Sequence, residues 1–262
     1  MQSSLFIGAT GMEAQRVNID VISNNLANVN TSGFKRSRAD FQELMYQTNQ
    51  AAGSETAVGT EVPTGIQIGL GVEPASVQKI FQQGGLTLTD NPLDLAIEGD
   101  GFFQILLPDG ETGYTRAGNF KLDSEGQIVN SEGNPMEPSI TIPSNTLSIT
   151  ITSDGTVSAL EAGNLTPTTV GQIELARFTN PGGLQAMGKN IFMPSGSSGS
   201  ITTASPGSDG LGTVNQGFVE MSNVNIVEEM VNMIVSQRAY ELNSKVVQTS
   251  DQMLQMANNI IR

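Results

Sequence analysis

The side chains that most often carry enzyme chemistry are scarce in this sequence. Its 262 residues include neither cysteine nor histidine, so thiol chemistry, disulfides and the usual base near neutral pH are missing. A zinc site would also lack its commonest ligands. Carboxylates are scattered over the middle of the chain with no spacing that indicates an acid/base pair. These facts disfavour an ordinary hydrolase or zinc enzyme. An enzyme that acts on cell-wall polysaccharide through two carboxylates stays a remote alternative.

Three short patterns resemble ligand-binding loops, and each lacks a chemical requirement. Residues 183–190 match a phosphate-binding loop, but Asn190 replaces the magnesium-binding hydroxyl residue and a short strand follows instead of a helix. Residues 99–101 lack the third glycine of a dinucleotide fingerprint. The turn that begins at Asp123 resembles a calcium loop, yet its twelfth position is Asn134 instead of glutamate. We therefore expect no cofactor and no metal, and an ordinary turn at Asp123.

The charge of the chain is unevenly distributed. Residues 41–220 carry the whole net charge of −14, whereas acids and bases balance in the two ends. Ends without net charge can pack against copies of themselves, and an acidic middle stays hydrated. Such a surface is a poor partner for nucleic acid, whose phosphates attract basic patches.

The C-terminal residues 225–262 predict one long helix because they contain neither glycine nor proline. Asn225, with Glu228 three residues later, has the pattern of a capping box at the start. Every seventh residue is apolar, which places one stripe along a helix of about 55 Å. The stripe consists of Ile226, Met233, Tyr240, Val247 and Leu254. The plainest alternative is the long core helix of a globular domain.

The N-terminal residues 1–33 repeat this pattern in a shorter helix. Gly8 and Gly11 lie inside it and cost roughly 1 kcal/mol each relative to alanine, so we expect them to mark close helix contacts or fraying. Two such helices, residues 1–33 and 221–262, predict a coiled-coil layer through which copies of the chain assemble. A two-helix lid on a β domain is the alternative. The N-terminal stripe consists of Leu5, Met12, Ile19 and Leu26.

The middle of the chain predicts β-structure, so the fold class is α+β. Residues 147–152 alternate strictly between apolar and polar, which indicates one buried and one hydrated face. Glycine-containing turns separate many short apolar runs, as in an antiparallel β barrel or sandwich. We assign residues 66–220 to this domain. Further strands are expected at residues 102–107, 127–129, 139–142, 173–178 and 191–193.

Residues 34–65 connect the first helix to the β domain. Phe41, Leu44 and Met45 are spaced for one face of a short helix. Residues 48–65 contain hardly any large apolar side chain, so local sequence predicts a flexible loop that cannot offset its ordering entropy by burial.

The sequence contains no obvious membrane or secretion signal. Residues 1–9 lack a basic segment, and charged residues interrupt the apolar run that follows, so a cleaved signal peptide is not expected. No stretch approaches the roughly 18 apolar residues of a membrane span, so direct membrane insertion is not expected either.

Several long stretches resemble the bacterial flagellar rod and hook axial proteins. The N-terminal signature of that family is matched by residues 22–36, ISNNLANVNTSGFKR. The C-terminal signature is matched by residues 217–225, GFVEMSNVN, and continues through residues 229–234 and 237–241. The middle resembles the family at GDGFF, residues 99–103, and at YTRAGNF, residues 114–120. The resemblance therefore covers nearly the whole chain.

This resemblance implies a non-catalytic structural subunit. It would polymerise with itself into a helical tube, with the terminal helices inside and the β domain outside. Length and middle-domain content are closest to those of the distal rod, the drive shaft that transmits torque from motor to hook. Another rod or hook-type subunit is the alternative within the family. A secreted, oligomeric β-sandwich binding module is the alternative from a different class.

The resemblance also implies partners and a location. The axial neighbours would be proximal rod and hook subunits, and the outer-membrane and peptidoglycan ring proteins would surround the tube. The location would be the periplasm-spanning rod of the basal body, reached through the flagellar export apparatus without a cleaved signal peptide. The resemblance implies that a phenylalanine followed four residues later by an apolar residue is recognised during export, and Phe41 and Met45 match this spacing. Residues 48–65 correspond to an extended stretch that distal rod proteins have, which is implied in making the tube straight and stiff.

Overall fold

The structure, a computed structural model, describes residues 2–51, 53, 55–57, 60–61, 63–164 and 166–260. The chain divides into two compact units. The first, here called the helical unit, comprises Met1–Ala27, Ser37–Lys79 and Asn225–Arg262. The second, here called the β unit, comprises Asn28–Arg36 and Ile80–Val224. Residues 66–79 thus belong to the helical unit, because they pair with residues 37–50.

The helical unit contains the two long helices that the sequence predicts. They are α1, Gln2–Ala27, and α2, Ile226–Ile260. The side-chain carbonyl of Asn225 accepts hydrogen bonds from the backbone N–H groups of Val227, at 3.1 Å, and Glu228, at 3.4 Å. These bonds satisfy donors that have no partner inside the helix, which confirms the predicted N-cap.

One long antiparallel hairpin completes the helical unit. Its strands are β1 Ser37–Glu43, β2 Tyr46–Gln50, β3 Glu55–Ala57, β4 Thr60–Glu61, β5 Ile66–Gly69 and β6 Val72–Lys79. Strand β1 pairs with β6, β2 with β5 and β3 with β4. Backbone bonds from Leu44 to Gly71 and from Leu70 to Met45 join the first two pairs.

The hairpin corrects two expectations. The short helix at Phe41 is wrong, because Phe41 lies in β1 opposite Pro74, and pairing with a strand some thirty residues away replaces helical hydrogen bonds. The flexible loop is also wrong for residues 48–50, which lie in β2. Backbone hydrogen bonds across the hairpin, not apolar burial, order them. Val58 and Val62, the apolar residues of the expected loop, lie outside the described residues.

The β unit consists of short strands and one 3-10 turn. The strands are β7 Leu86–Leu88, β8 Leu95–Glu98, β9 Phe102–Leu106, β10 Thr112–Thr115, β11 Lys121–Leu122, β12 Ile128–Val129, β13 Thr146–Ile151, β14 Thr156–Glu161, β15 Thr168–Gln172, β16 Leu175–Phe178, β17 Gln185–Gly188, β18 Ile191–Met193, β19 Ile201–Ala204, β20 Thr213–Gln216 and β21 Phe218–Glu220. The 3-10 turn is Pro181–Gly183.

The sheets of the β unit are antiparallel, as predicted. The largest has the order β17-β18-β10-β9-β16-β19, and β13, β14 and β15 form a separate three-stranded sheet. Two-stranded pairs join β20 to β8 and β21 to β7. Among the described residues the largest sheet ends in two edge strands, so the expected barrel does not close. The α+β class is confirmed, with open sheets instead of a barrel.

Two packed clusters form the core of the β unit. The larger one contains aliphatic residues with Phe103 and Phe120, whose rings meet edge to face at 5.2 Å. The smaller one is mostly aromatic and includes Tyr114 against Phe178 at 4.8 Å. Edge-to-face contacts of this kind add stability beyond the burial of area.

Two predicted strands differ from the structure in detail. Residues 139–142 form only an isolated bridge between Gln127 and Thr141. The alternation of residues 147–152 fails at Leu147, which is 70% exposed. The register of β13 on β14 shifts between Thr146 and Ser148. An irregularity of this kind turns a side chain away from its expected face.

Candidate functional site

The two helices meet along a row of small and polar residues, here called the polar seam. Its members are seven residues apart on each helix, and they lie beside the apolar stripes that the sequence analysis selected. On α1 the seam consists of Ser4, Gly11, Asn18 and Asn25, and on α2 of Glu229, Ser236, Asn243 and Ser250.

Hydrogen bonds cross the seam at three levels and show that the helices run antiparallel. The bonded pairs are Ser4 with Ser250 at 3.3 Å, Asn18 with Ser236 at 2.9 Å, and Asn25 with Glu229 at 3.4 Å. The amide of Asn25 also donates to the carbonyl of Ser37 and accepts from its N–H, both at 2.8 Å. The seam therefore gives buried polar groups partners, as burial requires.

Two glycines let the helices approach closely within the seam. A Cβ atom at Gly8 would lie 2.8 Å from Cγ2 of Val247, and one at Gly11 would lie 2.8 Å from Nδ2 of Asn243. Packed carbon atoms do not approach this closely. The prediction that these glycines mark a close helix contact is confirmed.

The predicted stripe residues have different environments. Leu5, Met12, Ile19, Leu26, Met233, Val247 and Leu254 are half-buried, whereas Ile226 and Tyr240 are exposed. Val247 is used within the chain, against Gly8. The polar seam was not predicted from the sequence, although its seven-residue spacing is visible one position before the apolar stripe of α1.

The side of α2 away from α1 exposes an extended set of large apolar side chains, here called the outer apolar face. At 100° per residue these positions lie about 80–180° around the helix from Ser236. They are Val227, Val231, Ile234, Val235, Leu242, Met253 and Met256. An exposed set of apolar residues of this length on one side of a helix is typical of a protein interface.

The β unit contains a buried ion cluster that joins the three stretches on which the family resemblance rests. Lys35 comes from the N-terminal stretch, Arg116 from the middle and Glu220 from the C-terminal one. The side chains are 1%, 3% and 0% exposed respectively. Glu220 Oε1 lies 2.6 Å from Lys35 Nζ, and Oε2 lies 3.3 Å from Arg116 Nη1.

Backbone groups complete the cluster. Lys35 also donates to the carbonyl of Gln82 at 2.9 Å, and the N–H of Gly84 donates to Glu220 at 2.8 Å. Arg116 donates to the carbonyl of Gly99 at 2.6 Å. Burial lowers the pKa of Lys35, and the charge of Glu220 opposes that effect. Burial likewise lowers the pKa of Arg116, and the charge of Glu220 again opposes that effect. The buried Nε of Arg116 has no hydrogen-bond partner among the described residues, but the other contacts tie the three side chains together. The cluster is therefore a buried fastening held by ion pairs and hydrogen bonds.

The ligand-like patterns have structural roles. Residues 185–188 of the phosphate-loop pattern form β17, and Lys189 pairs with Glu132 at 2.5 Å. The Oδ1 atom of Asp123 accepts the backbone N–H groups of Glu125 and Gln127, as in an ordinary turn. No group of three acidic side chains that could hold a metal occurs in the described part of the chain.

Phe41 and Met45 lie in the hairpin, and both are exposed, Met45 to 81%. Met45 follows the end of β1, so the two are not on one helical face. Among the described residues, no helix combines the length and apolar character needed to cross a membrane.

Comparison with known proteins identifies the family. Residues 5–35 match the profile "Flagella basal body rod protein", residues 96–159 "Flagellar hook protein FlgE/F/G D1 domain" and residues 215–260 "Flagellar basal body rod FlgEFG protein C-terminal". The flagellar basal-body rod protein FlgG of Caulobacter vibrioides is 53% identical over 98% of both chains. That of Buchnera aphidicola from Schizaphis graminum is 50% identical over 99% of this chain and all of its own.

A hook relative matches over a smaller part. The flagellar hook protein FlgE of Helicobacter mustelae is 47% identical over 51% of this chain and 30% of its own. The two relatives that match over the full length are both rod proteins. The chain belongs to the FlgG family of flagellar basal-body rod proteins, which are structural components and not enzymes.

Proposed function

We propose that the chain is a subunit of the distal rod, and that copies of it assemble through their terminal helices into a helical tube that transmits torque from motor to hook. The observation that carries this proposal is the outer apolar face of α2. Seven large apolar side chains are exposed there, on the side away from α1. Water is an unfavourable environment for such a surface, so a partner must cover it.

A second copy of the same chain fits this face. The face is a helix side, and helix sides of similar apolar character pack together in a coiled-coil layer. The terminal stretches carry no net charge, so copies do not repel each other there. Ile226 and Tyr240 are exposed beside the polar seam and would extend the contact. The half-buried residues of the two apolar stripes would add partly exposed apolar surface to the contact between copies.

The other partners follow from membership of the rod family. Self-assembly brings rod and hook subunits together along one axis, so we propose proximal rod and hook subunits as axial neighbours. The acidic β unit would face outward towards the outer-membrane and peptidoglycan ring proteins. The tube would then span the periplasm, and the chain would reach it through the flagellar export apparatus without cleavage of a signal peptide.

Electron microscopy of the concentrated chain tests the proposal. We expect open-ended tubes, because in a helical array the outer apolar face meets a different surface of the next subunit, and such a contact does not close. A closed oligomer of fixed size, seen by gel filtration and microscopy, would contradict it and favour the secreted binding module.

Export should depend on Phe41 and Met45. Both side chains are exposed in a hairpin that belongs to neither packed cluster of the β unit, so a receptor could reach them. Changing both to serine should abolish secretion of a stable chain. The control changes Leu122 and Leu147, exposed in the β unit, to serine and should be secreted normally. Normal secretion of the Phe41/Met45 variant, measured in culture supernatant, would exclude the assignment.

Stiffness of the tube should depend on residues 48–65. The hairpin would add contacts between subunits at a larger radius, which resist sliding of neighbouring helices through a longer lever arm. Deleting residues 48–65 leaves the polar seam untouched, so export and assembly should persist while the tube becomes curved or flexible. Bending is measured from filament images. Straight tubes of unchanged persistence length would contradict this role.

A further inference from the structure

The polar seam limits which rows of the two helices can face each other. A shift of α2 by one to three residues would separate Asn18 from Ser236 and Asn25 from Glu229, and would leave the buried polar groups of Ser236 and Glu229 without these partners. Such groups are costly, and for this reason buried polar residues fix the alignment of helix pairs. The seam therefore excludes all alignments except those that differ by whole heptads.

A shift of one heptad is not excluded by hydrogen bonding. The seam residues repeat every seven positions, so such a shift would again place polar side chains opposite each other. Asn243 would face Ser4 or Asn18, for example, instead of Gly11. Another feature must therefore distinguish the observed alignment from its neighbours.

Gly8 and Gly11 distinguish the observed alignment from the heptad-shifted ones by steric fit. Asn243 and Val247 project into space that exists only because Gly8 and Gly11 have no side chains. After a shift of seven residues, Asn243 would meet a Cβ atom at Ser4 or Asn18. In one direction Val247 would meet Gln15. Overfilling of this kind is destabilising in a packed contact.

We infer that Gly8 and Gly11 are the register-determining residues of the α1–α2 pair, with Asn243 and Val247 as the side chains that they receive. The polar seam determines which sides of the two helices meet. Gly8 and Gly11, here called the glycine notch, determine which of the alignments related by whole heptads forms. The heptad in turn decides where along α1 the outer apolar face of α2 lies. Only this last consequence for assembly rests on the proposed function.

Engineered cysteines measure the register directly, since the chain has none of its own. The native-register pair is Asn18→Cys with Ser236→Cys, whose side chains lie 2.9 Å apart. The shifted pair is Asn18→Cys with Glu229→Cys, one heptad away. Disulfide formation is followed in dilute full-length chain, so the result does not depend on assembly. With both glycines present, we expect only the native pair to cross-link.

The notch is then filled by Gly8→Ala with Gly11→Ala. Alanine favours helix, so α1 keeps its helicity by circular dichroism. We expect native-pair cross-linking to slow about ten- to a hundredfold. Adding Asn243→Ala and Val247→Ala shrinks the incoming side chains and should restore the native rate.

Three results would overturn the inference. The first is a native pair that fails to cross-link in the chain with both glycines. The second is an alanine variant that keeps the native rate. The third is a fall in rate without recovery when Asn243 and Val247 are shortened, which would mean that steric fit is not the cause.

Discussion

Replacing Val235 and Leu242 with glutamate should abolish assembly of the chain into tubes while leaving the β unit folded. The two side chains are 61% and 65% exposed on the outer apolar face, so glutamate does not disturb packing within the chain. In an assembled tube the same positions would be covered by a second copy. A carboxylate buried there without a partner costs several kcal/mol at each contact, and every subunit repeats the cost.

The matched control changes Gln237 and Gln248 to glutamate. These residues are also exposed on α2 but lie on its polar flank, so the control adds the same charge to the same helix. Pelleting and electron microscopy should show tubes for the control and none for the Val235/Leu242 variant. Tubes of normal yield from the Val235/Leu242 variant would show that the outer apolar face is not the assembly surface.

The second large effect is expected at the buried ion cluster. Glu220→Gln removes the negative charge that Lys35 and Arg116 share, and leaves two desolvated cations close together. Breaking a buried ion pair from one side costs about 3–5 kcal/mol, because the remaining charge is uncompensated. We expect the free energy of unfolding of the β unit to fall by this amount.

Glu132→Gln is the matched control. Glu132 pairs with Lys189 at 2.5 Å, a distance similar to that between Glu220 and Lys35, but the pair is exposed to solvent. Loss of an exposed pair costs at most about 1 kcal/mol. Urea unfolding, followed by near-ultraviolet circular dichroism of the buried Tyr114, reports on the β unit. Equal effects of the two substitutions would contradict the fastening role of the cluster.

The sequence by itself determined the features that depend on local pattern and composition. The absence of glycine and proline from residues 225–260 requires no tertiary contact to favour a helix, and Asn225 marks its start through a local hydrogen bond. The antiparallel character of the middle followed from short apolar runs between glycine turns. The lack of cysteine and histidine disfavoured common enzyme chemistry, and the signature stretches indicated the family.

The tertiary structure decided which side of each helix turns inward. Apolar residues at heptad spacing predict a contact, but not whether it forms within one chain or between two. The residues through which α1 and α2 contact each other are polar or small. Gly8 and Gly11 permit the close approach of the helices, and the seam residues form hydrogen bonds with partners far away in sequence. Local periodicity contains no information about such partners.

Partners far away in sequence also explain the other differences between the sequence-based predictions and the structure. Phe41, Leu44 and Met45 have helical spacing, yet Phe41 lies in β1, since the ladder partners of that strand in β6 lie some thirty to forty residues further along the chain. Lys35 and Glu220 are charged residues of types that usually lie at the surface. Their burial depends on the ion pair between them, which joins residues 185 positions apart in the sequence. Long-range pairing supplies the hydrogen bonds and opposite charges that make those conformations stable, and only the folded chain brings them together.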